Sequence, residues 1–385
     1  MNLLRVFRSW PLGIRLALFG VFFAAVWVPI LHTWFRGPWG ASVRNVHPWE
    51  WPVSTAATEG LDPEKLAKLV TRIGADECCP HLQALLVARH GRLVMEEYFH
   101  GWGPDLLHTL QSVTKSFTSA LVGIALSRGE FKDVDERVLE YFPRGNEYAA
   151  LDERKASLRL RDLLTMRTGV DYDENGVFSP HARLNLLPWG RDAWYLRRPM
   201  LSSPGTLFRY DSGGVVLLSS MLRRRTGMHA EAYAERYLFA PLGIKRQSWR
   251  ANLAGHTHTG GGLYLTARDT AKLGQLYLQG GRWGDAQVVP EAWVRESLRR
   301  HVAFDAHGRG VIGYGYLWWV LSDGVYAAIG RWGQYIFVVP EQDLVVTVFS
   351  MARPGTDPNK PIEILYDHIM PAVSRDMAMP DGRRS

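Results

Sequence analysis

Hydrophobic positions are grouped along this chain into blocks of different period. The first is "LALFGVFFAAVWVPIL", 16 uncharged, mostly apolar residues from Leu16 to Leu31 with Arg5, Arg8 and Arg15 ahead of it. With Leu12 to Ile14 included it approaches the roughly 20 residues that span a bilayer. Basic residues before such a span favour a cytoplasmic N-terminus. The reading is a signal anchor within residues 1–35, with the remainder outside the cytoplasm; secretion after signal cleavage is the alternative, although "HTWFRGPWG" offers no small-x-small cleavage site. A Pro/Trp-rich linker follows over 36–57.

Beyond it, "DPEKLAKLVTRI" predicts a helix with Asp62 as N-cap and Pro63 at its first position. "LQALLVARHGRLVMEEYF" reads as two strands broken at His90-Gly91, a hairpin. From about 130 to 300 apolar residues recur at three and four with glycine stops, as in "LRLRDLLTMRTG", "GVVLLSSMLRRRTG" and "TARDTAKLGQLYLQGG". Short β-branched and aromatic runs then return: "YGYLWWVL", "GVYAAIG", "QYIFVVP" and "DLVVTVFS", with a closing helix in "PIEILYDHIMPAV". Strands at both ends of the domain with helices between them predict an α+β fold. Its core is a mostly antiparallel sheet flanked by helices, with a helical subdomain inserted at about 130–310 of a domain covering 58–375. Residues 376–385 are left as a disordered tail.

Composition changes this picture little. At 385 residues, 46% hydrophobic and 22% charged, the chain is globular material. The net charge of +7 comes from scattered arginines and short runs such as Arg223-Arg224-Arg225, not a basic block, so no nucleic-acid partner is read. Cys78 and Cys79 are adjacent and cannot build a disulfide framework or a zinc site.

The chemistry starts at "LLHTLQSVTKSFTSALVGIAL". Positions i and i+3 share a helix face, so Ser112 and Lys115 point to one place. A serine in the first turn feels the positive end of the helix dipole, and its free N–H can serve an oxyanion. Val113, Phe117 and Leu121 would desolvate the lysine amine and lower its pKa. A Ser cap with a solvated Lys is the other reading, and the motif alone leaves both open. The second piece is Tyr210-Asp211-Ser212, just before a helix, where a phenol can relay a proton and Ser212 can hydrogen-bond nearby.

With these motifs in hand, residues 60 to 372 resemble the β-lactamase-related serine hydrolases. That group takes in class C β-lactamases, D-alanyl-D-alanine carboxypeptidases and carboxylesterases, nylon-oligomer hydrolases among them, and S-x-x-K is one of its signatures. "GGGLYLTARDTAKLGQLYLQGGRW", "VVPEAWV", "GYGYLWW" and "GQYIFVVPEQDLVVTVFS" extend the resemblance. It implies a Ser112/Lys115/Tyr210 acyl-transfer site between sheet and helices, with no metal or organic cofactor. The expected substrates are small esters or amides. Cell-wall peptides or β-lactams, and a non-catalytic ligand-binding role, are the alternatives; oligomeric state is not read.

The third family motif, Lys or His, then Ser or Thr, then Gly, has its counterpart by position in Gly330-Arg331-Trp332-Gly333-Gln334. The glycines would let the strand backbone approach a substrate. Arg331 either replaces the usual cation toward a carboxylate or faces solvent, and Trp332 either narrows the acyl pocket or caps the hairpin. "HTHTGGG", with His258, matches the motif by letters but lies before a helix in the insertion, so it is set aside as a cleft-bordering loop. Tyr172 and Asp173 are expected on the opposite wall.

Overall fold

The computed structural model describes residues 51–175, 179–304, 310–352, 357 and 359–374. The expected N-terminal anchor, most of the linker and the C-terminal tail lie outside the described residues. One expectation is corrected. No helix among the described residues is long and apolar enough to cross a membrane. The longest, Ser212–Thr226, has 15 residues against roughly 20 for a span. An inner-membrane enzyme with a periplasmic domain and a membrane partner is therefore not supported.

The frame is an eight-stranded sheet drawn from both ends of the domain. Its strands are β1 (Leu82–Arg89) and β2 (Arg92–Tyr98) from the first part of the chain. From the last part come β6 (Val302–Ala303), β7 (Val311–Tyr314), β8 (Trp319–Leu321), β9 (Tyr326–Gly330), β10 (Gln334–Val339) and β11 (Leu344–Ser350). The order is β2-β1-β11-β10-β9-β8-β7-β6, and every neighbouring pair is antiparallel. The α+β prediction holds.

Period-two alternation explains how both faces are covered. On β11, Val345 and Phe349 join the core beneath the helical block, while Leu344, Val346 and Val348 point to the other face. On β10, Ile336 and Val338 go one way and Tyr335, Phe337 and Val339 the other. The second face is closed by α1 (Pro63–Gly74), whose Leu66, Leu69 and Ile73 are buried and whose N-terminus is capped by Asp62, and by the helical segment at 360–372. On the first face α6 (Ala267–Leu278) packs against β1, β10 and β11 and α2 (Thr114–Ser127) against β9, and the same core continues outward through α3 (Pro180–Leu186), α4 (Arg191–Leu196), α5 (Ser212–Thr226) and α7 (Glu291–Leu298).

Helix α2 is buried from Thr114 through Ala125, the state of a helix that is mostly apolar all round. Two of its polar side chains reach carbonyls of other segments: Ser116 Oγ donates to Leu317 O at 2.8 Å and Thr118 Oγ1 to Thr259 O at 2.8 Å. Two details differ from the periodicity reading. The helical stretch contains β4 (Ser248–Trp249) and β5 (Leu263–Leu265), which form a small sheet with β3 (His108–Thr109). "YGYLWWVL" is not one strand either. Gly315 N–H turns back to Trp318 O at 2.8 Å, and Leu317 sits at φ 62° with its N–H on Leu164 O at 3.0 Å.

Candidate active site

Strand β3 delivers the turn that carries Ser112. His108 and Thr109 pair with Leu265 and Tyr264, and Leu110 N–H continues the ladder to Leu263 O at 2.9 Å. Gln111 then takes φ 48°, a left-handed conformation that ordinary side chains rarely adopt. Its amide holds the turn by donating to Thr109 Oγ1 at 2.9 Å. Ser112 follows in a short 3-10 turn, and neither that turn nor α2 has a side-chain cap. The reading of Ser112 as a helix cap is therefore removed.

Lys115 is 1% exposed. Its Nζ lies 2.8 Å from Ser112 Oγ, 2.5 Å from the carbonyl oxygen of Gly260 and 4.8 Å from the ring centroid of Tyr210. Burial disfavours the ammonium form and brings its pKa from 10.5 to about 8. Glu174 and Asp211 oppose that shift, and Arg331 adds to it. Tyr210 moves the other way. Burial, then the Glu174 charge, raises its hydroxyl above the ordinary 10, while a hydrogen bond with Ser112 and the Arg331 charge pull it back. Its ring stacks on Trp319 with centroids 5.7 Å apart and planes 14° apart.

Asp211 fixes the segment that presents Tyr210. It is the N-cap of α5 and accepts from Gly214 N–H at 2.9 Å, from Thr168 Oγ1 at 2.8 Å and from Tyr195 Oη. Burial raises its pKa to about 6 in spite of these donors. Ser212 is buried, and its main-chain N–H donates to Glu174 Oε1 at 2.5 Å.

The end of β9 closes the other side. A Cβ on Gly330 would lie 2.5 Å from Leu110 O and 3.2 Å from Gln111 Cβ, so only glycine lets this strand lie against the Ser112 turn. Arg331, Trp332 and Gly333 make the β9–β10 turn, with Trp332 at φ 68° and Gly333 at φ 89°. Arg331 is exposed and has no ion pair among the described residues; Trp332 is 38% exposed.

Tyr172 does not line the opening. It is fully buried, its ring 5.7 Å from that of Tyr195, and its hydroxyl meets His181 Nδ1 at 3.1 Å. Asp173 is exposed and caps Asn175 N–H. The residue of that loop which enters the site is Glu174. Sequence reasoning missed it, and it passed over Gly260 by setting the "HTHTGGG" loop aside. His258 is not on the large sheet, yet two residues later the same loop supplies the carbonyl that holds Lys115. The glycine run was a signal for close main-chain approach: a Cβ on Gly260 would lie 3.0 Å from Ser212 O.

The site thus draws together residues 112 and 115, 174, 210–212, 260 and 330–333. The beta-lactamase family profile matches residues 76–367. A 6-aminohexanoate-dimer hydrolase of Paenarthrobacter ureafaciens is 28% identical over 370 residues, covering 85% of this chain and 89% of that protein. Among solved structures, EstCE1, a hydrolase with promiscuous acyltransferase activity, superposes with a TM-score of 0.65 at 18% identity over 78% of this chain and 97% of its own. A penicillin binding protein from Bacillus halodurans gives 0.60 at 18% identity over 77% and 99%. At such identities the structural likeness speaks for the fold alone. With the profile spanning well over half its length, the chain belongs to the beta-lactamase family.

Proposed function

We propose that this member of a hydrolase family is a serine hydrolase that cleaves small esters or amides through an acyl-enzyme on Ser112, its catalytic domain being residues 58–375. The observation that carries this reading is the buried Lys115 amine, 2.8 Å from Ser112 Oγ, next to a phenol displaced in the opposite direction. Two titratable groups pushed apart by their surroundings divide the roles of base and acid. Lys115, neutral above pH about 8, takes the Ser112 proton as Oγ forms its bond to the substrate carbonyl carbon. Tyr210 stays protonated and gives its proton to the departing oxygen or nitrogen as that bond breaks, and the Lys115 ammonium restores the Tyr210 hydroxyl. Water, deprotonated by the same groups, then releases the acid and frees Ser112. The oxyanion would rest on the main-chain N–H of Ser112 and one from the end of β9, which Gly330 allows to come close.

Arg331 favours substrates with a carboxylate, because an exposed guanidinium beside the site accepts one in bidentate fashion. A short amide ending in a carboxylate fits both this and the name of the Paenarthrobacter relative. Fluorescent penicillin tests the cell-wall alternative, and labelling that depends on Arg331 would favour it. The main reading is checked by turnover of a p-nitrophenyl short-chain ester: Ser112→Ala lowers it by at least about a thousandfold with the fold intact. Intact mass spectrometry should find an acyl adduct on Ser112. Undiminished turnover in the variant defeats the reading.

A further inference from the structure

Glu174 stands inside the site with no part in the Ser112, Lys115 and Tyr210 scheme. Its side chain is 15% exposed. Oε1 accepts the Ser212 N–H at 2.5 Å, and Oε2 lies 3.7 Å from His181 Nδ1. Behind it runs a chain of side-chain hydrogen bonds: His258 Nε2 to Asn185 Oδ1 at 2.6 Å, and Asn185 Nδ2 to His181 Nε2 at 2.9 Å. An amide oxygen only accepts and an amide nitrogen only donates. His258 Nε2 is therefore the donor and His181 Nε2 the acceptor, which leaves the His181 hydrogen on Nδ1, toward Tyr172 Oη and Glu174. Burial keeps both imidazoles neutral by lowering their pKa values.

The two ends of this chain are the two loops that hold the reacting groups. His258 lies two residues before Gly260, whose carbonyl holds Lys115. Glu174 grips Ser212, two residues after Tyr210. The chain is thus a strap around the site with one anionic group at its inner end.

We propose that Glu174 is a positioning residue, a carboxylate that fixes the Tyr210–Ser212 segment through the Ser212 N–H and supplies a negative charge facing Lys115. This rests on the acyl-enzyme reading above. The charged and titratable groups acting with it around Lys115 are Asp211 and Tyr210 from the start of α5, Arg331 from the β9–β10 turn, His181 from α3 and His258 from its loop. Of these, Glu174 and Asp211 favour the ammonium and Arg331 disfavours it.

The test is the pH profile of kcat/KM on a p-nitrophenyl ester with the full chain. Glu174→Gln keeps an oxygen for the Ser212 N–H and removes the charge, so the acid limb should move to lower pH by about half a pH unit or more. Glu174→Asp keeps the charge and should leave the limb where the native enzyme has it. Glu174→Ala loses the acceptor too and should lower kcat on the plateau by at least about tenfold with KM little changed. A limb that does not move in Glu174→Gln, or moves equally in Glu174→Asp, overturns the inference, as does native kcat in Glu174→Ala. Ser112→Ala is run alongside: turnover persisting there overturns the acyl-enzyme reading and this inference with it, whereas Ser112-dependent turnover with an unmoved limb overturns this inference alone.

Discussion

Lys115 is 1% exposed, and its amine titrates near 8 in place of 10.5. The unfolded chain therefore binds a proton between those values that the folded chain has released, so folding gains stability as pH rises from 8 to 10.5. At pH 7 the buried amine costs about 3 kcal/mol. Lys115→Met should abolish ester turnover, and its stability relative to the native chain, measured by denaturant titration, should fall as pH rises across that window. A constant difference would mean that the amine is not desolvated. Arg331 acts on the same amine with opposite sign to Glu174, so Arg331→Ala should shift the acid limb of the rate profile to higher pH and raise KM for carboxylate-bearing amides more than for neutral esters. The meeting of Ser112, Lys115 and Tyr210 was legible in the sequence because all three are side chains of marked type at recognisable spacings. Glu174 was not, because its role depends on a main-chain N–H that arrives from 38 residues away, and no residue type marks an N–H.

Among the elements, α2 sets the precision of the site, since Ser112 precedes it and Lys115 lies in its first turn. Its contact with α7 is made through Gly123, where a Cβ would overlap the ring of Trp293. Gly123→Ala should destabilise the fold by about 1–3 kcal/mol, even though alanine gains roughly 1 kcal/mol of helix propensity over glycine. A denaturant midpoint equal to that of the native chain would show that α2 and α7 have room to separate. The strands and long helices were readable from periods of two and near 3.6. "YGYLWWVL" was misread because its aromatic residues satisfy the strand pattern while the Gly315 N–H closes a turn on Trp318 O. Two-residue strands such as β4 are too short for any periodicity to register.

Over the whole molecule, β1 pairs with β11 from Leu82 opposite Ser350 to Arg89 opposite Leu344, so the second and third strands of the sheet join segments separated by most of the domain. Closing so long a loop before its contacts form makes folding slow. It also makes the last strand indispensable. A chain ending at Asp343 would leave β1 and β10 with open edges, and such edges pair with other chains; it should aggregate and lack a cooperative unfolding transition. A soluble, active truncated chain would refute this. The antiparallel α+β architecture was visible in the sequence because strands cluster at both ends, whereas the meeting of the 171–175 loop, the 258–260 loop and the β9–β10 turn at one point was not, since tertiary closure leaves no trace in local pattern. The carbonyl of Gly260 that grips Lys115 has a consequence of its own: an alanine scan of 256–259 exchanges the side chains leading up to it and leaves every carbonyl in place, so it would pass over this contact. Only an edit to the peptide link itself, such as an ester in place of the Gly260–Gly261 amide, would weaken that oxygen as an acceptor, and drift in the loop's letters can conceal a grip that has not changed.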